Sequence, residues 1–214
     1  MFDYWINILP PIFEGFSISI LVYILTMIFA LPIGMIIGLI SDLYKPSHKI
    51  IRIFTWIVRG TPLLLLLYIT MYALPLVLPF RMNRLFAGAL TFVINYAAYF
   101  TEIFRSGLAI IPVGQWQAAE VLGLKKSETI WFVILPQMFR NTLLPLINEA
   151  ITLVKDTSLL AAIAIGEMLR NAKEIVTNDF KIDALVIAGL IYLIFSLGVV
   201  QVGKKLETTY LKRR

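Results

Sequence analysis

The chain has 214 residues, 59% of them hydrophobic and only 15% charged. A soluble domain carries about 45–50% apolar and about 25% charged residues, so a water-soluble globule is excluded. The absence of cysteine and the single histidine, His48, remove disulfide frameworks, thiolate zinc sites, iron–sulfur ligation, a cysteine nucleophile and imidazole-rich metal centres. The net charge of +6 does not point to nucleic acid: in so apolar a chain a basic excess marks the membrane face that meets anionic lipid, and no nucleic-acid partner is expected.

Hydrocarbon about 30 Å thick is crossed by roughly 20 apolar helical residues. Five runs qualify, and their continuous apolarity, without two-residue alternation, makes them helices rather than barrel strands. The first, 16–40, is uncharged. It carries Pro32, which predicts a bend, and Ala30, Gly34 and Gly38 at four-residue spacing, a stripe that lets another helix approach closely. No Lys or Arg precedes it, the reverse of a secretory signal, so this helix is expected to be retained. The second, 50–77, contains Arg52 and Arg59. Gly60 and Pro62 beside Arg59 predict either a functional hinge or a kink that brings Arg59 to water or a carboxylate.

The third run, 85–104, has Asn95 and Tyr96 near its middle and Glu102 near its end, where Glu102 and Arg105 are spaced for a helix-surface ion pair. The fourth, 143–163, contains Asn148, Glu149, Lys155 and Asp156. Charge inside a bilayer is costly unless paired or facing a cavity, so these are candidate functional residues. The segment 165–176, with Glu167, Arg170, Lys173 and Glu174, reads as an amphipathic cap outside the membrane. The fifth run, 184–202, is again uncharged.

Alternate connections carry 12 and 5 basic residues. Arg81 and Arg84 lie on the poorer side, and the terminal Lys212, Arg213 and Arg214 on the richer one. The richer side is read as cytoplasmic, which places the N-terminus outside and the C-terminus inside a multi-pass cell-membrane protein. The expectation is one all-α domain over 1–214, a bundle of about five transmembrane helices with most connections short.

The long connection between the third and fourth runs is the exception. Ile111-Pro112-Val113-Gly114 breaks the chain, Gln115–Leu122 reads as a short helix, and Gly123 suits its C-cap. Ser127 is placed to cap a second short helix running through Phe132, and Leu135-Pro136 reads as a stop. Two adjacent alanines followed by a terminal glycine suit docking rather than catalysis.

Gln117-Ala118-Ala119, Gly123, Val133 and Leu135-Pro136, in that spacing, resemble the EAA loop of ABC-importer membrane subunits. Arg59-Gly60-Thr61-Pro62, Tyr99-Phe100-Thr101-Glu102-Ile103-Phe104-Arg105, Ile111-Pro112-Val113-Gly114-Gln115 and Leu153-Val154-Lys155-Asp156-Thr157-Ser158-Leu159 are similar to the permeases of polar amino-acid uptake systems, and the likeness runs from about residue 15 to 203. The first EAA position is Gln117 where the family has Glu; Glu120, one helical turn away, can supply the charge.

The resemblance implies that two permease subunits, identical or paralogous, each dock a coupling helix within 112–137 on a cytoplasmic ATPase through Gln117, Ala118, Ala119, Glu120 and Gly123. An extracytoplasmic solute-binding protein would deliver the substrate. No Walker A sequence occurs in the chain, so ATP and Mg²⁺ would be bound by the partner. Asn148 and Glu149, level with Asn95 and Tyr96, are the candidate substrate contacts. Glu149 would meet a cationic group, with a basic amino acid slightly favoured, or else hydrogen-bond inside the bundle. Lys155 and Asp156 form either an outer mouth or a structural ion-pair cluster. A membrane-embedded enzyme would need a nucleophile with a base or a metal-binding carboxylate cluster, neither of which the sequence displays. A passive channel subunit would leave the EAA-like loop unexplained.

Overall fold

A computed structural model describes residues 2–77 and 82–211, which are almost entirely helical. Arg81, Lys212, Arg213 and Arg214, used in the charge count, lie outside the described residues. In chain order the helices are α1 (Phe2–Leu43), α2 (Lys45–Gly60), α3 (Leu63–Val77), α4 (Arg84–Ala109), α5 (Val113–Val121), α6 (Lys126–Ile163), α7 (Met168–Asp179) and α8 (Asp183–Leu211). Among them α1, α6 and α8 contain stretches long and apolar enough to cross a membrane, and α2 with α3 make a fourth candidate, bent by 98°. Helix α4, 26 residues or about 39 Å long, packs against α1, α2, α3 and α6 and forms the centre of the bundle.

The small residues of α1 explain why it lies so close to α4. Ala30 is fully buried, and a Cβ on Gly34 would stand 2.5 Å from the Phe100 Cβ and 2.9 Å from the Ala97 carbonyl. Gly38 approaches the Thr101 carbonyl in the same way, at 3.1 Å. The stripe is a packing surface that sets two backbones together. Against it α4 presents Ala97, Phe100, Thr101 and Phe104, all buried. A smaller cluster of Ile12, Met168, Ala172, Ala184 and Ala188 joins α1, α7 and α8.

Helix starts follow from local chemistry. Asn83 caps α4 by accepting the Phe86 N–H at 2.7 Å. The buried Glu167 caps α7, accepting the Leu169 and Arg170 N–H groups at 2.8 and 2.7 Å and the Tyr192 hydroxyl at 2.9 Å. Burial pushes the Glu167 carboxyl above the usual carboxylate range, and these three donors and Lys173 hold the shift back. The amphipathic cap read from the sequence is α7 itself.

Two expectations change. The predicted stop at Leu135-Pro136 does not end a helix. A widened π-helical turn, Thr129–Ile134, runs directly into the α-helical segment Leu135–Asp156, and the change of hydrogen-bond register at that junction accommodates the missing N–H of Pro136. Nor does Ser127 cap the second short helix: it lies inside the turn Lys126–Glu128 that begins it. The cap position is Lys125, whose N–H donates to the Glu128 carboxylate at 2.7 Å.

Candidate functional site

Where α2 turns into α3, the bend at Thr61 and Pro62 opens a cavity of about 380 Å³ against α4 and α6. The turn contributes Arg59, Gly60, Thr61, Pro62 and Leu63; α4 contributes Asn95, Tyr96 and Tyr99; α6 contributes Glu149, Thr152 and Asp156. The residues of α6 are spaced i, i+3, i+7, one face of a helix, and those of α4 follow the same logic at i, i+1, i+4. The volume lies at the lower end of the roughly 300–1,000 Å³ typical of small-molecule sites.

Four of the six residues singled out in the sequence meet here: Asn95, Tyr96, Glu149 and Asp156. The Tyr96 hydroxyl donates to the Asp156 carboxylate at 2.8 Å and so ties α4 to α6. Its ring is buried, stacked on Phe92 with the planes 5° apart. Asn148 and Lys155 are exposed and do not line the cavity. Each precedes a cavity residue by one position, and neighbours on a helix point about 100° apart. Lys155 and Asp156 accordingly form no ion pair with each other.

Besides Gly60, Thr61, Pro62 and Leu63 of the turn itself, Arg59, Tyr99 and Thr152 line the cavity without having been singled out for it from the sequence. Tyr99 and Thr152 were findable from the helical spacing around Asn95 and Glu149. Arg59 stands in the last turn of α2, immediately before the 98° bend, and lines the cavity from there. Its guanidinium lies over the Tyr99 ring, 5.0 Å from the centroid, and 4.0 Å from the Glu102 carboxylate. Glu102 is also held by Arg105, through two hydrogen bonds of 2.9 and 2.8 Å, and by the Thr55 hydroxyl at 2.8 Å. The surface pair expected between Glu102 and Arg105 is therefore present, inside a larger network joining α2 to α4.

At one end of the bundle α5 stands out as a short external helix. Gln117, Ala118 and Glu120 are exposed, whereas Ala119 is buried against the protein. Gly123 has φ of 76°, the left-handed conformation that suits glycine. The Gly123 N–H donates to the Glu120 carbonyl and the Leu124 N–H to the Ala119 carbonyl, the paired bonds of a Schellman cap. Val121, Leu122, Trp131 and Phe132 are exposed around the helix, an apolar surface with a polar crest. Among the described residues no group of three or more His, Asp or Glu stands close enough to hold a metal ion.

Residues 30–208 match the family described as binding-protein-dependent transport system inner membrane components. The chain belongs to that family. Within this family of multi-pass inner-membrane permeases it groups with the amino-acid ABC transporters. It is 33% identical to the arginine transport system permease protein ArtQ of Bacillus subtilis, over 93% of this chain and 92% of that one. It is 36% identical to the L-cystine permease TcyB of the same organism, over 90% and 84%, and 31% identical to the glutamine permease GlnP of Escherichia coli, over 93% and 92%. The crystal structure of an amino acid ABC transporter with histidines superposes with a TM-score of 0.87 at 25% identity, covering 98% of both chains. The methionine transporter MetNI shares the fold, with a TM-score of 0.70 at 15% identity and 95% coverage of both chains. As a permease of this family the subunit has no ATPase site of its own; ATP is bound by a partner ATPase, and a binding protein is the other partner class.

Proposed function

We propose that this permease forms the translocation pathway for a polar amino acid, a basic one favoured, and that the cavity between α2–α3, α4 and α6 is its substrate site. The observation that carries this reading is the pairing of Glu149 and Asp156 on one wall of the cavity, with Asn95 and Thr152 beside them and Arg59 as the one cation lining it among the described residues. An amino acid brings an ammonium to such a site. A basic side chain brings a second cation for the second carboxylate. The arginine permease among its relatives is consistent with this preference, although glutamine and cystine permeases are also relatives.

In this reading the end of the bundle bearing α5 faces the cytoplasm, the N-terminus lies outside and the C-terminus inside. Gln117, Ala118, Glu120 and Gly123 dock α5 in a groove of the ATPase, with Ala119 anchoring the helix to its own subunit. Closure of the paired ATPases would move α5 as a rigid body and rock α6, to which the Gln115–Gln137 hydrogen bond of 3.2 Å ties it. Asn148 and Lys155, exposed on the neighbouring face of α6, would meet the second permease subunit, identical or paralogous, since a lysine facing lipid at that depth would be costly. A solute-binding protein outside the cell delivers the substrate.

The test is Glu149→Gln in the reconstituted permease–ATPase assembly. The variant should assemble normally and lose most of the stimulation of ATP hydrolysis by amino acids. An unaltered response would remove Glu149 from the substrate site.

A further inference from the structure

We propose that the outward face of α2 holds one anionic glycerophospholipid, its phosphate between His48, Lys49 and Arg52 and its chains against Ile53 and Trp56. These five residues line a cavity of about 360 Å³ that shares no residue with the substrate cavity.

Helix α2 has two sides. Thr55 and Val58 are buried, and the Thr55 hydroxyl donates to Glu102 of α4. Lys49, Arg52, Ile53 and Trp56 are exposed, Trp56 by 76%. The helix begins at the end of the bundle that bears α5. There His48 Nδ1 lies 3.1 Å from the carbonyl oxygen of Ser41, and the same stretch of α1, at Gly38, packs on Thr101 and Phe104 near the C-terminal end of α4. From this end α2 runs into the bundle as the first half of the bent candidate span. His48 and Trp56 are about 12 Å apart along the axis, so the three basic side chains come first, at headgroup depth, and the large apolar ones follow where acyl chains begin. That is the order of the parts of a phospholipid.

Charge selects which phospholipid. The 16 residues of α2 include four Lys or Arg and no Asp or Glu. Lys49 and Arg52 form no ion pair with a described residue. His48 turns Nδ1 to the Ser41 carbonyl, which leaves Nε2 for a ligand. A phosphodiester therefore meets three nitrogen groups, whereas the ammonium of a zwitterionic headgroup finds no carboxylate among the lining residues. A headgroup without an ammonium, as in phosphatidylglycerol, is preferred. A second permease meeting this face across a two-fold axis would set the same cations against each other, which favours lipid as the occupant.

The experiment titrates the intact permease–ATPase complex in detergent with phosphatidylglycerol and with phosphatidylcholine of the same chains, counting bound lipid by native mass spectrometry. The wild type should hold one lipid per permease subunit with a roughly tenfold or greater preference for phosphatidylglycerol, the size expected of two cations near a phosphate. Lys49→Gln combined with Arg52→Gln should bring the preference close to one in complexes that still assemble, and Lys49→Gln alone should fall between. Lys49→Arg with Arg52→Lys, which keeps both charges, should retain it. Trp56→Ala should weaken both lipids alike. Lys204→Gln with Lys205→Gln, which removes two exposed cations of α8, should change nothing. A preference that survives the Lys49 and Arg52 pair of glutamines, or that falls equally in the Lys204 and Lys205 variant, overturns the site. Displacement of the lipid by millimolar inorganic phosphate would show that the face takes a free anion and would overturn it too, as would a wild type without any preference.

Discussion

Gly123 offers a test in which the structure separates two reasons for a glycine. Its φ of 76° is left-handed, and a Cβ built on it would have no neighbour within 4 Å inside the subunit. Substitution therefore meets no clash in the isolated chain, only the conformational penalty of a side chain in that region, about 1–2 kcal/mol for most residues and less for Asn. A penalty of that size shifts the capped conformer by roughly 5–30-fold, displacing the end of α5 while the bundle stays folded. If capping is what matters, coupling of substrate to ATP hydrolysis should be best retained by Gly123→Asn, then Gly123→Ala, and worst by Gly123→Val, whose branched side chain resists positive φ most. If the glycine serves only to let the ATPase backbone approach, size governs instead and Gly123→Ala should outperform Gly123→Asn. The assay is substrate-stimulated ATPase activity, with co-purification of the ATPase reporting association. Wild-type coupling in Gly123→Val would refute both the cap and the docking role. Gly114→Ala is the control, since this position has neither positive φ nor a neighbour.

Gly34→Ala should lower the thermal midpoint of the solubilised subunit, because the new methyl meets the Phe100 Cβ and α4 backbone atoms that cannot move aside; overpacking of this kind costs about 1–3 kcal/mol. An unchanged midpoint would mean that α1 and α4 separate freely. The buried Glu167 makes a signed prediction with pH. Its folded carboxyl lies above the ordinary range, so the stability it contributes is present in acid and is lost as pH rises through the folded value. The midpoint difference between wild type and Glu167→Gln should therefore shift against the wild type as pH is raised from the ordinary glutamate range, and the opposite slope would contradict the stated balance of burial and hydrogen bonding.

Much of this arrangement is legible in the sequence because helical spacing carries it. The Ala30–Gly34–Gly38 stripe, the Glu102–Arg105 pair and the glycine after the short helix α5 each depend on residues close together along one helix. Asn95 and Tyr96 share a cavity with Glu149 and Asp156 because α4 and α6 lie side by side. What escaped depends on orientation and on breaks. Asn148 and Lys155 are adjacent in sequence to cavity residues yet point about 100° away. Pro136 reads as a terminator, but the preceding π-helical turn absorbs its missing donor. Gly60 and Pro62 mark where the helix breaks after Arg59 but do not specify the 98° angle of the bend.

The most direct test of the central claim is uptake of labelled amino acids into proteoliposomes containing this permease, its ATPase and its binding protein, with ATP supplied on the ATPase side. The account predicts ATP-dependent accumulation of a polar amino acid, a basic one foremost, abolished by Glu149→Gln in assemblies that still form. Accumulation that persists without ATP, or that Glu149→Gln leaves unchanged, would contradict it.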